Sequence, residues 1–468
     1  MKLKTEIHSA EIHALSHEGR GITKINGKTV FIEGTLPNEE VSFNLKKRNR
    51  RYDEGVIVEI LKSASSRIEP GCPHFAICGG CSLQHMESKA QILFKQKVLL
   101  EQFQHFGGVL PKEICPPILG PQFAYRRKAR LGVKYVEKKG KLLIGFREKQ
   151  SHLLADLDQC KILTPLLAVL WPKLKQLISS LSAYRVIPQI EVASGDEEVA
   201  LIFRHLEPLS PEDLAQLANF GESEKVHIYL QPGGMESIHF LGGCSDSKGL
   251  SKNNFSLLSE SCSRYASLAS EKRESYFLTS PYLTYRLPDF DIEFKFFPTD
   301  FIQVNAEINK KLVALAIQWL DPKPTDKVLD LFCGLGNFTL PLARFAKECV
   351  GLEGCQEMVK RARLNAEHNR LNNVSFAVKN LFSTENIMLN TDYDKVLLDP
   401  PRTGALPVLE KIAGTNASSI VYVSCNVATL ARDVGILVKD HGFSFEKIAL
   451  LDMFPQTTHV ETIALLTR

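Results

Sequence analysis

A chain of 468 residues is too long for a single hydrophobic core, so about two to four domains are expected. The apolar share of 44% and charged share of 24% are those of an ordinary globular protein. No run approaches the roughly 18 uninterrupted apolar residues of a membrane span, and the start Met-Lys-Leu-Lys-Thr-Glu lacks the apolar core of a signal peptide. Eleven cysteines without a secretion signal place the chain in a reducing cytoplasm, with thiols used as ligands or nucleophiles rather than as a disulfide frame. The net charge of +4 is unevenly spread: Lys89 to Lys149 holds 14 Lys or Arg against four Glu, an excess of +10, and Lys46 to Arg51 is a second basic run. Two such runs beside small β domains make nucleic acid the expected partner.

Residues 1–62 alternate apolar and polar positions between glycine-rich turns. Five short strands are predicted, at Ile7 to Leu15, Gly21 to Ile25, Lys28 to Ile32, Glu40 to Leu45 and Asp53 to Leu61. Five strands in some sixty residues fit an OB-like barrel, a platform for oligonucleotides. The runs Ser16-His17-Glu18-Gly19-Arg20-Gly21-Ile22 and Glu54-Gly55-Val56-Ile57-Val58-Glu59-Ile60 resemble a TRAM domain.

Next, Cys72, Cys78 and Cys81 fall within ten residues, among Pro70, Gly71, Pro73, Gly79 and Gly80. Clustered free thiols invite oxidation, so a ligand loop is the better reading. A fourth thiol would come from Cys115 or Cys160. Zinc and an iron–sulfur cluster both accept four thiolates, and the residues alone leave the two open. The spacing is not C-x3-C-x2-C, which argues against radical chemistry.

An amphipathic helix is predicted over Gln91 to Phe106, and a strand with one cationic face over Tyr125 to Tyr135. A helix over Pro165 to Leu181 precedes strands at Gln189 to Val192, Val199 to Arg204, Lys225 to Leu230 and Ile292 to Phe297. Residues 63–300 thus read as an α+β domain dominated by antiparallel sheet, with Ser245 to Arg273 as a Ser-rich insertion. From residue 301 strands alternate with helices, which implies a parallel sheet. The helix Asn305 to Leu320 is followed by strands at Lys327 to Leu331, Glu348 to Leu352, Val374 to Val378, Lys395 to Leu398, Ile420 to Val423 and Phe445 to Leu451. Val460 to Leu466 is the expected antiparallel partner of the last strand. The expected domains are therefore 1–62, 63–300 and 301–468.

Chemistry concentrates at strand ends in residues 301–468. The first strand runs into Asp330-Leu331-Phe332-Cys333-Gly334-Leu335-Gly336-Asn337, a glycine-rich turn opening a helix, and the second ends in Glu353. An ionised carboxylate there can accept both hydroxyls of a ribose. The dinucleotide fingerprint's third glycine is missing, so S-adenosylmethionine fits better than NAD. The fourth strand ends in Asp399-Pro400-Pro401-Arg402, a loop stiffened by two prolines. The fifth delivers Ser424-Cys425-Asn426 just before a helix. Taken alone, Cys425 reads as a small buried hydrophobe. Beside the other strand ends it reads as a nucleophile, with the helix N-terminus favouring its thiolate. Glu461, on the last strand, would be a desolvated carboxyl with a raised pKa, a usable base.

Together these motifs resemble the bacterial RNA uracil-C5 methyltransferases that use S-adenosylmethionine. The chain is most similar to the subfamily that has a TRAM domain and a [4Fe-4S] cluster and modifies 23S ribosomal RNA. Phe301-Ile302-Gln303-Val304-Asn305, the Phe332-to-Asn337 turn, Glu353, Asn380, the Asp399 loop, Ser424-Cys425-Asn426 and His459-Val460-Glu461 stand in family order. The resemblance implies a multidomain fold: an N-terminal TRAM barrel, a central α+β domain with an iron–sulfur loop, and a C-terminal α/β Rossmann-like methyltransferase domain. It implies that Gln303, Phe332, Asn337, Glu353, Asn380 and Asp399 line the S-adenosylmethionine site. Cys425 would be the nucleophile and Glu461 the general base, and Cys72, Cys78, Cys81 and Cys160 would hold the cluster. RNA is the implied partner, with no membrane association and a monomeric chain. One departure is Val427, where the family usually has proline after Ser-Cys-Asn.

Three other readings compete. Transfer RNA is the rival substrate for the same chemistry. An N-methyltransferase of the Asp/Asn-Pro-Pro-Tyr type is disfavoured by Arg402 in place of the aromatic and by Cys425 at a strand end. An iron–sulfur RNA-binding factor without catalysis is disfavoured by Cys425, Glu461 and the cofactor residues occurring together.

Overall fold

The structure, a computed structural model, describes residues 6–243, 281–383 and 389–468. The Ser-rich insertion expected at Ser245 to Arg273 lies outside the described residues. The chain forms two compact units, Met1–Gln122 with Leu398–Arg468, and Phe123–Leu397.

The first unit begins with a six-stranded sheet. In spatial order its strands are Ile7–Glu11, Glu40–Arg48, Tyr52–Lys62, Lys28–Ile32, Gly21–Ile25 and Ala14–Leu15. The long first strand expected from the sequence is two, because Ile12 leaves the ladder to bury its side chain with Val30, Ile32, Val41 and Phe43. Asn26 (φ 50°) and Gly27 (φ 80°) form the two-residue turn between Gly21–Ile25 and Lys28–Ile32, where both positions need positive φ. Leu36, from a loop of this sheet, packs with Leu83 and Met86 and so seats the cysteine loop and the helix after it.

That helix, Ser88–Gln102, starts three residues before the predicted Gln91 and ends four before Phe106. Its end widens into a looser turn over Phe103–Gly107, closed by Gly108 at φ 59°. Substitution of Gly107 would bring a Cβ to 2.6 Å from the Ala431 carbonyl, so the glycine is what permits this turn to lie against the helix Val427–Lys439. The C-terminal part of the unit is antiparallel. Glu461–Thr467 pairs with Ser419–Ser424 on one side and Ser444–Leu451 on the other.

The second unit contains a six-stranded sheet ordered His239–Gly242, His227–Gln231, Val199–Arg204, Gln189–Ser194, Lys128–Val136 and Lys141–Gly145. All its pairs are antiparallel except Val199–Arg204 with His227–Gln231. The predicted helix over Pro165 to Leu181 is two segments, Pro165–Ala168 and Trp171–Ser180, the second starting with Pro172 in its first turn. The same unit holds the parallel strands Val374–Val378, Glu348–Glu353 and Lys327–Leu331 in that order, and Lys395–Leu398 is next to the last of them. Among the described residues no helix is long and apolar enough to cross a membrane.

Candidate active site

In the second unit, the strand Lys327–Leu331 enters a turn in which Phe332, Gly334 and Gly336 take φ values of 66°, 55° and 95°. Glycine adopts these angles without steric cost; Phe332 is held there by its N–H donating to the Leu352 carbonyl at 2.9 Å. Glu353 ends the neighbouring parallel strand. Its carboxylate accepts the N–H groups of Gly334 at 3.2 Å and Cys355 at 2.9 Å. A carboxylate has about four lone-pair directions, so two stay available to a pair of hydroxyls. A Cβ on Gly334 would meet nothing nearer than 3.7 Å, leaving room over the turn for a ligand.

Asn380 follows the strand Val374–Val378, and its Oδ1 accepts the Phe382 N–H at 3.0 Å. This turn sets the Phe382 ring 5.6 Å from that of Phe332. Asn337 is fixed differently: its Oδ1 accepts from Asn309 Nδ2 and from the Tyr285 hydroxyl, each at 3.0 Å, while its Nδ2 donates to Asn309 Oδ1 at 3.0 Å. Gln303 lies just before the helix Ala306–Leu320, in a stretch tied by Arg127 N–H donating to the Val304 carbonyl at 2.9 Å. The glycine turn, Glu353 and the Asn380 turn form one cluster. A strand, a glycine turn and a ribose-type carboxylate in this order can hold S-adenosylmethionine.

The first unit gathers Cys425, Glu461, Asp399 and Arg402. Ser424 pairs with Thr462 at the end of the antiparallel ladder; Cys425 follows the one and Glu461 precedes the other, and the two interact electrostatically. Thr462 Oγ1 also donates to the Ser424 carbonyl at 3.1 Å, closing the ladder beside the thiol. Asn426 has two tasks. Its Oδ1 accepts the Ala428 N–H at 3.1 Å, capping the helix, and its Nδ2 donates to the Arg402 carbonyl at 2.9 Å. Thr429 Oγ1 donates to the same carbonyl at 3.2 Å. The Asp399-Pro400-Pro401-Arg402 loop is thereby tied to the turn that carries Cys425.

The electrostatics correct one expectation. Cys425 is not held as a thiolate: burial, then the charges of Glu461 and Asp399, push its thiol up to about 11, against the opposing pull of Arg402. A helix N-terminus offers only a partial charge, which does not offset the loss of water around the thiol. Glu461 is itself only 2% exposed, and burial followed by Asp399 raises its carboxyl well above the usual range, with Arg402 opposing. Burial alone pushes Asp399 up to about 7. His459 is pushed down to about 4 by burial, with Arg402 and Lys95 adding, so the imidazole is neutral at pH 7. Two carboxyls and a thiol are thus driven toward their neutral forms, which is how proton-transfer groups are poised near neutrality.

Cys72, Cys78 and Cys81 are half-buried in the first unit, and Cys160 is half-buried in the second. The Gly80 N–H donates to Cys78 Sγ at 3.4 Å and the Cys72 N–H to Gln84 Oε1 at 2.9 Å. Cys115, the alternative fourth thiol, donates to Glu113 Oε1 at 3.4 Å, beside a sheet-edge strand. By chemistry, the three thiols of the Cys72-to-Cys81 loop are donors of the kind a thiolate-bound group uses. Among the described residues, however, no group of three or more His, Cys, Asp or Glu side chains is arranged to hold a metal ion.

Several residues around these sites carried no signal in the sequence. Asn309 on the helix Ala306–Leu320 and Tyr285 on the hairpin of Leu283–Leu287 with Ile292–Phe296 grip Asn337 from 28 and 52 residues away. Asp433 accepts from the Tyr422 hydroxyl at 2.7 Å and the Ala405 N–H at 2.7 Å, anchoring the chain just past Arg402. The helix spacing of Asp433 gave no reason to bury it.

The parallel strands with their glycine turn and strand-end carboxylate define a Rossmann-like methyltransferase domain, and the N-terminal sheet is a TRAM domain. Residues 6–58 match the TRAM model, and residues 268–468 match the family model described as tRNA (Uracil-5-)-methyltransferase. The chain is 46% identical over 467 residues to the 23S rRNA (uracil(1939)-C(5))-methyltransferase RlmD of Nitrosococcus oceani, covering 99% of this chain and 96% of that one. It is 44% identical over 471 residues to the protein of the same name from Hahella chejuensis, covering 99% and 98%. The chain belongs to the RNA uracil-C5 methyltransferase family. The crystal structure of Pyrococcus abyssi tRNA (uracil-54, C5)-methyltransferase in complex with S-adenosyl-L-homocysteine shares the fold, with a TM-score of 0.70 over 98% of this chain and all of that one, at 23% identity.

Proposed function

We propose that this enzyme methylates C5 of a uridine in 23S ribosomal RNA, with S-adenosylmethionine as methyl donor. The observation that carries the reading is the gathering of Cys425 and Glu461 beside the last ladder pair, Ser424 with Thr462, with Asp399 and Arg402 acting on both. The substrate class follows the names of relatives more than 40% identical over nearly the whole chain. Gln303, Phe332, Asn337, Glu353, Asn380 and Asp399 would hold the donor, with Glu353 accepting its ribose hydroxyls.

C5 of uracil is a poor nucleophile. Cys425 Sγ adds to C6, and the electron pair of the C5–C6 double bond moves onto C5 and the C4 carbonyl, making an enolate. C5 then takes the methyl group from the sulfonium, whose sulfur keeps the bonding pair and leaves as S-adenosylhomocysteine. Glu461 removes the C5 proton. The freed pair restores the double bond and expels the Cys425 thiolate. Since C6 is inaccessible in a stacked base, the uridine must be splayed out first, and the TRAM sheet and basic central region would hold the flanking RNA.

The test supplies the purified protein with methyl-labelled S-adenosylmethionine and unmodified 23S ribosomal RNA. Label should appear in 5-methyluridine at one position. Label in any other nucleoside, or only with transfer RNA as acceptor, would sink the reading.

We also propose that Cys72, Cys78, Cys81 and Cys160 bind an iron–sulfur cluster. Its support is the half-buried thiols and the Gly80 N–H on Cys78 Sγ, since backbone donors stabilise charged sulfur. No step of the methyl transfer needs an electron from it. Anaerobic purification should give a brown protein with about four irons per chain; stoichiometric zinc without iron would refute this.

A further inference from the structure

The connection from Ser444–Leu451 to Glu461–Thr467 is long for a hairpin, which is usually closed by about two to five residues. Leu451 pairs with Glu461, so Asp452 to Val460 form the loop, and the candidate base is the first residue after it. A loop of this length does not by itself fix its closing residue. In this protein it is held from inside the first unit by a buried polar network.

Lys95, on the helix Ser88–Gln102, is 0% exposed and Asp452 is 1% exposed. Lys95 Nζ donates to Asp452 Oδ1 at 2.6 Å and to the Phe454 carbonyl at 3.2 Å. One turn earlier on the same helix, Gln91 Nε2 reaches Gln456 Oε1 at 3.0 Å and the Met86 carbonyl at 2.8 Å. Gln456 sits at the loop's crest with φ 67°, a conformation unfavourable for a side chain of this kind. Its carbonyl accepts the N–H groups of Ser82 and Leu83, both at 2.9 Å. Gln122 joins the two halves, with its Nε2 3.4 Å from Asp452 Oδ2 and its Oε1 3.3 Å from Gln456 Nε2. Beyond the crest, the Thr458 N–H donates to Ser82 Oγ at 3.2 Å, and Thr457 Oγ1 accepts the His459 N–H at 3.2 Å.

A fully buried lysine is rare, and a buried ion pair is weak evidence of stabilisation, since apolar residues of similar volume usually serve as well. What such a network does supply is a single geometry, because any other arrangement leaves buried donors unmatched. We infer that Lys95 with Asp452, and Gln91 with Gln456, are positioning residues for the proton-abstraction step, clamping the Asp452–Val460 loop so that the Glu461 carboxyl meets the C5 proton. This rests on the reading of Glu461 as the base. None of the four need touch substrate.

The inference separates two steps that a general loss of structure would impair together. Formation of the Cys425 adduct is read with 23S ribosomal RNA carrying 5-fluorouridine, which cannot lose fluorine as a proton and so traps the adduct. Release is read with ordinary uridine RNA, by the decay of a denaturant-resistant, methylated protein–RNA adduct. The double variant Lys95→Met/Asp452→Leu replaces the ion pair with apolar bulk, so the fold should survive. It should form the 5-fluorouridine adduct at close to the wild-type rate and release the uridine adduct about 10²-fold more slowly, the scale of a misplacement near 1 Å. Gln456→Gly, which accepts the positive φ freely, removes the other anchor and should slow release in the same sense. Wild-type release in both variants, or formation and release falling in proportion, would overturn the inference. Glu461→Gln is run beside them: if it fails to accumulate the uridine adduct, the base assignment is at fault rather than the clamp.

Discussion

Replacing Cys425 with alanine should lower methylation of 23S ribosomal RNA by at least about 10⁴-fold and abolish the adduct with 5-fluorouridine RNA. Without addition at C6, nothing turns C5 into a nucleophile, and a bound methyl donor cannot compensate. The environment of the thiol makes the prediction sharper. With its pKa pushed up to about 11, only about one thiol in 10⁴ is ionised at pH 7. Attack is therefore expected to be coupled to loss of the thiol proton. Arg402 draws Cys425 and Glu461 back toward their charged forms, and its carbonyl is held by Asn426 and Thr429. Measuring adduct formation in Cys425→Ala against pH settles the matter: persistent adduct at any pH would remove Cys425 from the mechanism.

The strands were legible because alternation and turn residues are local. Lys28–Ile32, Gly21–Ile25, Lys327–Leu331, Val374–Val378 and Lys395–Leu398 fall where the pattern puts them. The closeness of Glu353 to the glycine turn was legible for another reason: consecutive strands of a parallel sheet are commonly neighbours, so their ends meet although Gly334 and Glu353 are 19 positions apart. What the sequence hid depends on partners far along the chain. Lys95 on an amphipathic helix reads as a solvated charge, and only its partner 357 positions away buries it. Tyr285 gives no sign in its neighbours that its hydroxyl will reach Asn337. The expectation that Cys425 would be a thiolate failed for the same reason. The helix N-terminus is visible two residues away, whereas the burial that outweighs it, and the Glu461 and Asp399 carboxyls that add to it, come from parts of the chain far from Cys425 in sequence.

Glu461→Gln should leave the enzyme able to add Cys425 and transfer the methyl group, yet hold it as a covalent methylated adduct. Turnover should fall about 10²- to 10⁴-fold, the usual contribution of a general base. The amide cannot take the C5 proton, so the pair that would expel the thiolate is never freed. Wild-type release should itself slow as pH falls, because the buried carboxyl must be ionised to act and burial raises its pKa. The same shift has a consequence for stability, and its sign is fixed. A carboxyl whose folded pKa lies above its unfolded value of about 4.3 favours the fold fully below that value, and this advantage is lost as pH rises through the folded pKa. Glutamine is neutral throughout and keeps it. Thermal unfolding should therefore find Glu461→Gln melting above the wild type at pH 8, with the gap closing toward pH 4. Equal melting temperatures at pH 8, or normal release of product by the variant, would mean that Glu461 is not the buried base. An inactive variant that is more stable than the active enzyme would show that burial of this carboxyl serves the chemistry at the fold's expense.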